Sequence, residues 1–309
     1  MDKKLDIGEI KQKQSLPLSA KINMTERRIR EWYNHWNGDV YVSFSGGKDS
    51  TVLLHIARQL YPDIKAVYFN TPDFPEIKSF VRSSNDIIWV NPKKSFVEII
   101  NHWGYPVISK DQSHFIEEYR NSKSEKLKAL RWNGRPVKSG KIGKISEKWK
   151  YMINAPFKIS DKCCYFMKKK PALDFNEQTG LHPIVAVMAC ESLRRLKDYM
   201  VYGCSLFETR HPISRPMSFW IEEDIWNYLK MYNVPYSSIY NLGYERTGCM
   251  FCLFGVHLEG TPNRYDRMKI THPKIYDFCM NKLNYKLVFE WYLCGKKKKL
   301  NYFYKIRKQ

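Results

Sequence analysis

The stretch that decides the fold is Ser43-Phe44-Ser45-Gly46-Gly47-Lys48-Asp49-Ser50. It follows a strand-like run, 40–42, and precedes a helix-like run, 51–57. A turn from strand to helix presents backbone N–H groups and the positive end of a helix, and both attract phosphate. Paired glycines let the backbone approach the anion closely, and an acidic residue beside the phosphates suits Mg²⁺. We therefore predict a phosphate-binding loop rather than an ordinary glycine turn, with a spacing that is not the Walker spacing.

Short apolar runs alternate with helical patterns beyond this loop. Strands are predicted at 40–44, 64–69, 86–90 and 184–189, and helices at 51–60, 95–103 and 220–232. This alternation predicts a doubly wound, mostly parallel α/β sheet, in which ligands bind at the carboxyl ends of the strands. The predicted domains are an N-terminal helical segment (1–38), a nucleotide-binding α/β domain (39–232) with a basic insertion (120–150), and a C-terminal region that closes a cysteine cluster and extends into basic helices (233–309).

The charge of the chain is strongly positive. Its 309 residues include 52 Lys and Arg against 31 Asp and Glu, a formal net charge of +21. Such a charge attracts polyanions and favours a nucleic-acid partner, although a lysine-rich solvated surface is the alternative. The excess is concentrated at 123–150, which we predict to be a mobile insertion, and at 295–309, where lysines alternate with aromatic residues.

The sequence predicts a cytoplasmic protein with no membrane segment. No uninterrupted apolar run approaches the roughly 18 residues of a membrane span. The first residues, 1–6, lack the apolar core of a signal peptide. In this setting the eight cysteines are better interpreted as metal ligands or reactive thiols than as disulfides.

Four cysteines have a spacing that predicts a metal site. Cys163 and Cys164 are adjacent, and Cys249 and Cys252 form a Cys-x-x-Cys pair much later in the chain. Four thiolates bind either a tetrahedral zinc ion or an iron–sulfur cluster. Adjacent cysteines strain a single-metal tetrahedron but can reach two corners of a [4Fe–4S] cluster, so the cluster is favoured over zinc. Four buried free thiols are the remaining alternative.

The other cysteines lack this spacing. We interpret three of them, Cys190, Cys204 and Cys279, as core residues. Cys294 precedes a glycine and four lysines, and neighbouring cations lower the pKa of a thiol, so a reactive role is the alternative there.

Five stretches of the chain resemble the phosphoadenosine phosphosulfate (PAPS) reductase family of the adenine nucleotide α-hydrolase (PP-loop ATP pyrophosphatase) superfamily. The loop resembles its SGGxDS motif, and the resemblance spans about residues 38–255. The stretch 69–76 is similar to a T-G-x-x-F-P-E-T pattern but lacks the glycine, and 186–195 is similar to G-I-R-A-x-E-S-x-x-R with Met188 in place of the arginine. The stretch 162–171 resembles the family's cysteine pair, and 216–252 resembles the segment that closes its [4Fe–4S] site.

The resemblance implies one of three activities. The intact loop favours an ATP pyrophosphatase and sulfurtransferase, similar to the enzymes of DNA phosphorothioation, that adenylates a nucleic acid and uses ATP, Mg²⁺ and a [4Fe–4S] cluster. DNA is favoured over tRNA as the acceptor, with a cysteine desulfurase as sulfur donor and modification-complex subunits as possible partners. The alternatives are a thiol-dependent reductase of PAPS or adenylyl sulfate, for which Cys294 lacks the expected E-C-G-x-H setting, and a non-catalytic nucleotide-sensing subunit that binds DNA.

The predicted site residues follow from these motifs. Lys48, Asp49 and Ser50 are predicted to be catalytic, with Lys48 either adding charge or facing solvent. The residues predicted to bind the nucleotide are Ser43, Ser45, Gly46, Gly47, Lys48, Asp49, Ser50, Asn70, Thr71 and Arg195. The predicted cluster ligands are Cys163, Cys164, Cys249 and Cys252.

Overall fold

The computed structural model describes residues 5–137 and 140–292. The chain divides into two compact units, each made of two stretches. Unit 1 comprises Met1–Pro92 and Lys168–Gly248, and unit 2 comprises Lys93–Met167 and Cys249–Gln309. The domains predicted from the sequence are contiguous, whereas each of these units combines two stretches of chain that are separated by a stretch of the other unit.

The helices are mostly short, and several begin at a side chain that caps them. Ser95, for example, accepts a hydrogen bond from the Glu98 N–H at the start of α5, and the Glu98 carboxylate accepts one from the Ser95 N–H. In chain order the helices are α1 Ile7–Gln14, α2 Leu18–His35, α3 Lys48–Leu60, α4 Pro75–Ser83, α5 Phe96–Trp103, α6 Lys110–Asn121, α7 Glu125–Asn133, α8 Lys162–Cys164, α9 Lys170–Thr179, α10 Leu193–Tyr202, α11 Glu222–Met231, α12 Arg264–Thr271 and α13 Pro273–Asp277.

Three of the four longer strands lie where apolar runs were predicted, whereas the strand predicted at 184–189 spans 182–185 and is followed by a short 3-10 turn at 189–191. In chain order the strands are β1 Val40–Ser43, β2 Lys65–Phe69, β3 Ile87–Val90, β4 Val107–Ile108, β5 Arg135–Val137, β6 Gly140–Ile142, β7 His182–Val185, β8 Ser205–Leu206, β9 Ile213–Ser214 and β10 Leu253–Phe254.

Unit 1 contains a six-stranded sheet in the order β3-β2-β1-β7-β9-β8. All its pairings are parallel except that of β8 with β9. Val42 of β1 is opposite Ala66 on one side and Ile184 on the other, and all three side chains are buried. A strand buried on both faces requires apolar residues throughout, which explains the unbroken apolar run before the loop. The predicted α/β class is confirmed.

The long helix α2 packs within unit 1. Its apolar stripe buries Ile22, Ile29 and Trp32. The buried Lys21 ammonium lies 2.6 Å from the Asp224 carboxylate of α11, so the charge that this helix brings into the interior is paired. The predicted N-terminal helical segment is therefore part of the same compact unit as the sheet.

Unit 2 has two small ladders beside its helices. β4 pairs in parallel with β10, and β5 pairs antiparallel with β6. The second ladder and α7 lie in the predicted basic insertion. The described part of that segment, which excludes 138–139, therefore contains α7 and the paired strands β5 and β6.

Within the described residues, no helix is both long enough and apolar enough to cross a bilayer. Cys294 and the basic tail at 295–309 lie outside the described residues, so their predicted roles remain predictions.

Candidate nucleotide and cysteine sites

The predicted phosphate loop joins β1 to α3 at the carboxyl end of the sheet. β1 ends at Ser43 and α3 begins at Lys48, with Gly47 as its N-cap. Gly47 has no side chain to occupy the first backbone N–H groups of the helix, and no side-chain cap is present. This is the geometry in which a helix N-terminus binds an anion.

Hydroxyl groups give the loop its shape. The Ser45 and Ser50 hydroxyl oxygens lie 3.0 Å apart, and the Ser45 N–H donates to Ser50 Oγ at 3.1 Å. The Gly47 N–H donates to Ser45 Oγ at 3.3 Å, and Ser50 Oγ lies 2.9 Å from the Gly47 carbonyl oxygen. These local hydrogen bonds hold the turn in place without a ligand.

The two glycines are required for different reasons. Gly46 has a φ of +70°, and a Cβ atom there would lie 2.7 Å from Val81 Cγ2 of α4. Gly47 has an ordinary φ, but a Cβ atom there would lie 2.7 Å from Thr247 Oγ1. Gly46 thus combines a backbone requirement with a packing requirement, whereas Gly47 has the packing requirement alone.

Lys48 is buried, with a relative exposure of 4%. Its ammonium donates to the Glu245 carbonyl oxygen at 3.0 Å and lies 3.2 Å from the Glu222 carboxylate. The ammonium also lies over the rings of Trp226 and Tyr240, within 5.9 and 5.4 Å of their centroids. Of the two alternatives for this residue, a solvent-facing side chain is excluded, and its positive charge is held beside the loop.

Asp49 has an unsatisfied carboxylate oxygen. Its Oδ1 atom is buried and has no hydrogen-bond partner among the described residues. The Lys48 ammonium lies 3.9 Å away. Burial raises the pKa of Asp49 and the Glu222 carboxylate raises it further, while Lys48, Arg195 and Arg246 oppose that shift. A buried, unpartnered carboxylate oxygen beside a phosphate loop fits a Mg²⁺ ligand.

Arg195 acts on the same carboxylate. The Ser192 hydroxyl caps α10 by accepting a hydrogen bond from the Arg195 N–H. The guanidinium pairs with Glu191, whose carboxylate also accepts from the Met188 N–H. Burial lowers the pKa of Arg195 and the Asp49 charge opposes this shift, so the predicted Arg195 does lie within electrostatic reach of the loop.

Asn70 and Thr71 both follow β2 but differ in the hydrogen bonds that their side chains make. The Asn70 amide donates to Asn91 Oδ1 at 2.8 Å, while its own Oδ1 is buried with no partner in the described part of the chain. The Thr71 hydroxyl donates to Asp73 Oδ2 at 2.7 Å, and the Tyr68 hydroxyl donates to the same oxygen at 2.8 Å. Asn70 therefore has an acceptor to offer a ligand, whereas the Thr71 hydroxyl is already used in a buried network.

Sequence reasoning missed the residues that brace the loop from later in the chain. The Tyr240 hydroxyl accepts from the Lys48 N–H at 2.8 Å and lies 3.2 Å from Thr247 Oγ1. Burial raises the pKa of Tyr240 to about 12, so this hydroxyl keeps its proton. Trp226 and Tyr240 belong to the stretch 216–252, and both side chains lie in unit 1 under the Lys48 ammonium. No spacing signals a contact across 192 residues.

The four predicted cluster ligands all lie in unit 2. Cys163 and Cys164 lie in α8, and Cys249 and Cys252 lie in a turn in which the Cys252 N–H donates to the Cys249 carbonyl at 3.0 Å. The pKa of Cys163 is raised well above its ordinary value, first by a hydrogen bond with Cys164 and by burial, then by the charges of Cys164, Cys252 and Cys249. The fold thus brings together the two pairs that are separate in the sequence.

Neighbouring side chains hold the Cys-x-x-Cys turn. The Arg264 guanidinium and the Tyr265 hydroxyl each donate to the Cys252 carbonyl at 3.4 Å. The Tyr285 hydroxyl donates to the Phe251 carbonyl at 2.5 Å. Four ionised thiolates would repel one another, and a metal centre would offset that repulsion. None of the described cysteines forms a disulfide, so this donor set fits the cluster, and zinc as well.

The other described cysteines differ in their exposure to solvent. Cys279 is buried, as predicted for a core residue. Cys204 is partly buried, and Cys190 is exposed, so the core interpretation of Cys190 is wrong. Cys190 directly follows the start of a short 3-10 turn, Ala189–Glu191, in which Ala189 rather than the cysteine points inward.

Several relatives of the chain are adenosine 5'-phosphosulfate reductases. It is 22% identical over 229 residues to an adenosine 5'-phosphosulfate reductase of Staphylococcus epidermidis, covering 72% of this chain and 74% of that protein. An adenosine 5'-phosphosulfate reductase of Salinibacter ruber is 21% identical over 230 residues, covering 73% and 72% of the two chains.

Solved structures resemble it more loosely. A PAPS reductase from Candida auris in a phosphate complex is 14% identical with a TM-score of 0.42, covering 79% of this chain and 95% of that one. The U34-tRNA thiolase of Methanococcus maripaludis with its [4Fe-4S] cluster is 12% identical with a TM-score of 0.37, covering 87% and 80%. Residues 39–253 match the phosphoadenosine phosphosulfate reductase domain, and the chain therefore belongs to that family.

Proposed function

We propose that the chain is an ATP pyrophosphatase and sulfurtransferase, which adenylates a nucleic-acid acceptor and then introduces sulfur. The observation that carries this proposal is the intact loop with the buried Asp49 oxygen at its end, which has no hydrogen-bond partner among the described residues. A site for a triphosphate has to compensate a large negative charge, and a carboxylate that binds Mg²⁺ is one way to supply it.

The loop residues have distinct roles in the proposed reaction. An acceptor oxygen attacks the α-phosphorus of ATP, and pyrophosphate leaves with the electrons of the broken P–O bond. The N–H groups at the start of α3 hold the phosphates, while Lys48 and Arg195 supply fixed positive charge. Asp49 would hold Mg²⁺, which when bound neutralises charge that develops on the phosphate oxygens. In the second step hydrosulfide, released from the persulfide of the donor by a thiol reductant that is oxidised to a disulfide, attacks the adenylated atom of the acceptor, and AMP leaves with the electrons of the bond that joined it to the acceptor.

The cysteine site supports the sulfur half of the proposal. Cys163, Cys164, Cys249 and Cys252 would hold a [4Fe–4S] cluster, which when bound supplies iron with an affinity for sulfur. A cysteine desulfurase is the proposed donor of that sulfur. The cluster is proposed ahead of zinc because adjacent cysteines suit its separated iron corners.

Charge supports a nucleic-acid acceptor. The net charge is +21, and the basic insertion exposes Lys126, Arg135, Lys141 and Lys148 to solvent. Trp132 of α7 is 40% exposed among these cations, which suits contact with phosphates and stacking on a base. DNA is proposed ahead of tRNA on the resemblance to the phosphorothioation enzymes, and subunits of a modification complex are the proposed protein partners.

The test is pyrophosphate release by protein purified without oxygen. ATP is supplied alone, with DNA and with tRNA, and in a separate reaction adenylyl sulfate is supplied with a thioredoxin-like reductant. We expect pyrophosphate from ATP, released faster with DNA than with tRNA. Sulfite from adenylyl sulfate with no turnover of ATP would overturn the proposal in favour of a reductase. Tight ATP binding without any turnover would instead indicate a nucleotide-sensing subunit.

A further inference from the structure

We propose that His114, Glu117 and Asp161 form a binding site for a divalent first-row transition-metal ion, separate from the four cysteines. One ligand atom of each residue lies within 4.8 Å of the other two. All three residues belong to unit 2 and are partly exposed, so an ion from solvent can reach them.

The three residues come from two elements that bring their ligand atoms close together. His114 and Glu117 lie three residues apart on α6 and so face the same side of the helix. Asp161 comes from the turn that leads into α8. Metal–ligand bonds of about 2.0–2.2 Å place two donors at most roughly 4.4 Å apart, and the 3.5 Å between His114 Nδ1 and Asp161 Oδ1 lies within that limit.

The supporting contacts are those of a metal-bound histidine. The His114 Nδ1 atom faces Asp161 Oδ1 at 3.5 Å, while Nε2 lies 3.2 Å from Glu118 Oε1. A histidine that binds a metal through one ring nitrogen typically donates the other N–H to a carboxylate. Glu118 is itself held by the Arg131 guanidinium. Nδ1 is therefore the proposed ligand atom, and Glu118 is a positioning residue for the ring.

A hydrogen bond from a neighbouring side chain also positions Glu117. The Ser160 hydroxyl donates to its Oε2 atom at 3.0 Å. The carboxylates of Glu117 and Asp161 belong to the same cluster, with a ligand atom of each within 4.8 Å of the other. A bound dication would offset their repulsion.

The donor set selects the class of ion. One imidazole nitrogen and two carboxylate oxygens suit Zn²⁺, Mn²⁺ or Fe²⁺, whereas Ca²⁺ prefers oxygen ligands alone. The four cysteines are a softer donor set and select iron–sulfur clusters or zinc. Three protein ligands also leave at least one coordination position for water or a substrate atom. The competing interpretation is a protonated His114 in ion pairs with Glu118 and Asp161, with no metal.

The test uses Mn²⁺, which binds nitrogen and oxygen ligands in preference to thiolates. Mn²⁺ is titrated without nucleotide into the anaerobically purified full chain, and free Mn²⁺ is followed by electron paramagnetic resonance. We expect saturable binding that Glu117→Gln and Asp161→Asn each abolish, and that Glu118→Gln weakens by about 10–100-fold. Glu117→Gln keeps an acceptor for Ser160, and the iron content of each sample shows whether the cysteine site is intact.

Because Mn²⁺ can replace Mg²⁺ at oxygen ligands, every titration is made in the Asp49→Asn background, which removes the proposed Mg²⁺ ligand at the loop. Glu125→Gln, which changes an exposed carboxylate on α7, is the control and is expected to retain the binding. Binding that is absent in the Asp49→Asn background, or that survives both Glu117→Gln and Asp161→Asn, would overturn the proposal and leave the ion-pair interpretation. This result does not depend on ATP turnover, so it stands apart from the proposed function.

Discussion

The phosphate loop and the cysteine site are built in opposite ways. The loop at 43–50 is contiguous in the chain, and its own hydroxyl and backbone groups hold its shape. The cysteine site joins α8 to the turn at 249–252, and its thiols raise the pKa of Cys163 by their proximity. The loop is therefore organised before its ligand arrives, whereas the cysteine site would bring like charges together once its thiols ionise, and a metal centre would offset their repulsion.

The two sites also differ in how many groups a metal would engage. In the loop a single buried oxygen, Asp49 Oδ1, lacks a hydrogen-bond partner among the described residues. In the cysteine site all four thiols would be ligands. Substitutions in the loop should therefore lower the rate of pyrophosphate release or the stability by degrees. Substitution of any one of the four cysteines should remove the cluster.

The largest expected effect is the loss of the cluster in Cys252→Ser. A serine hydroxyl is a poor replacement for a thiolate, and one missing ligand exposes an iron corner to solvent. We expect the iron content and the visible absorbance of anaerobically purified protein to fall nearly to background. Cys190→Ser, which changes an exposed cysteine of unit 1, is the matched control and should retain the iron. Equal iron in both variants would show that the four cysteines do not hold the cluster.

The next effect is on catalysis. Asp49→Asn removes the carboxylate charge proposed to hold Mg²⁺, so we expect pyrophosphate release from ATP to fall by about 10²–10³-fold, comparable to the removal of one transition-state contact. The iron content should not change. Asp63→Asn, an exposed carboxylate in the turn after α3, provides the control and should keep the full rate. A rate within a few-fold of wild type for Asp49→Asn would remove the carboxylate from the proposed mechanism.

A smaller effect is expected on the stability of the loop. Gly46→Ala introduces a Cβ atom 2.7 Å from Val81 Cγ2 at a φ of +70°. Gly180→Ala has the same φ but no atom within 4 Å, so it isolates the backbone cost from the clash. We expect Gly46→Ala to lower the free energy of unfolding by about 1–3 kcal/mol more than Gly180→Ala, measured by urea denaturation. Equal losses of unfolding free energy in the two variants would mean that α4 accommodates the added Cβ atom at no energetic cost.

The smallest expected effect is a pH-dependent gain in stability. Because burial raises the pKa of Asp49 above its ordinary value of 3.8, its contribution to stability is full below that pH and is lost as pH rises through the folded-state pKa. Its side chain is 28% exposed, so solvent screens the effect. Without nucleotide or Mg²⁺, Asp49→Asn should therefore gain stability over wild type as pH rises from about 4, in urea titrations at several pH values. A difference that is flat with pH, as expected for Asp63→Asn, would contradict a raised pKa.

Prediction from the sequence succeeded where the signal is local. The strands predicted at 40–44, 64–69 and 86–90 are β1, β2 and β3 to within a residue or two, because their apolar runs follow the period of a buried strand. The helix-capping role of Ser192 follows from the residue type and its position. The interpretation of Cys190 failed because the burial of a single cysteine depends on which neighbour of a short turn points inward.

By itself the sequence determined the phosphate loop, the α/β class and the set of four cysteines, since each depends on residue types at short spacing or on a period of alternation. Only the tertiary structure decided what surrounds them. It placed Tyr240 and Glu222 on Lys48, left the Asp49 oxygen without a partner, and set Asp161 opposite His114. These contacts join residues far apart in the chain, and packing alone determines which distant side chains meet, because nothing in the local pattern of either partner encodes the other.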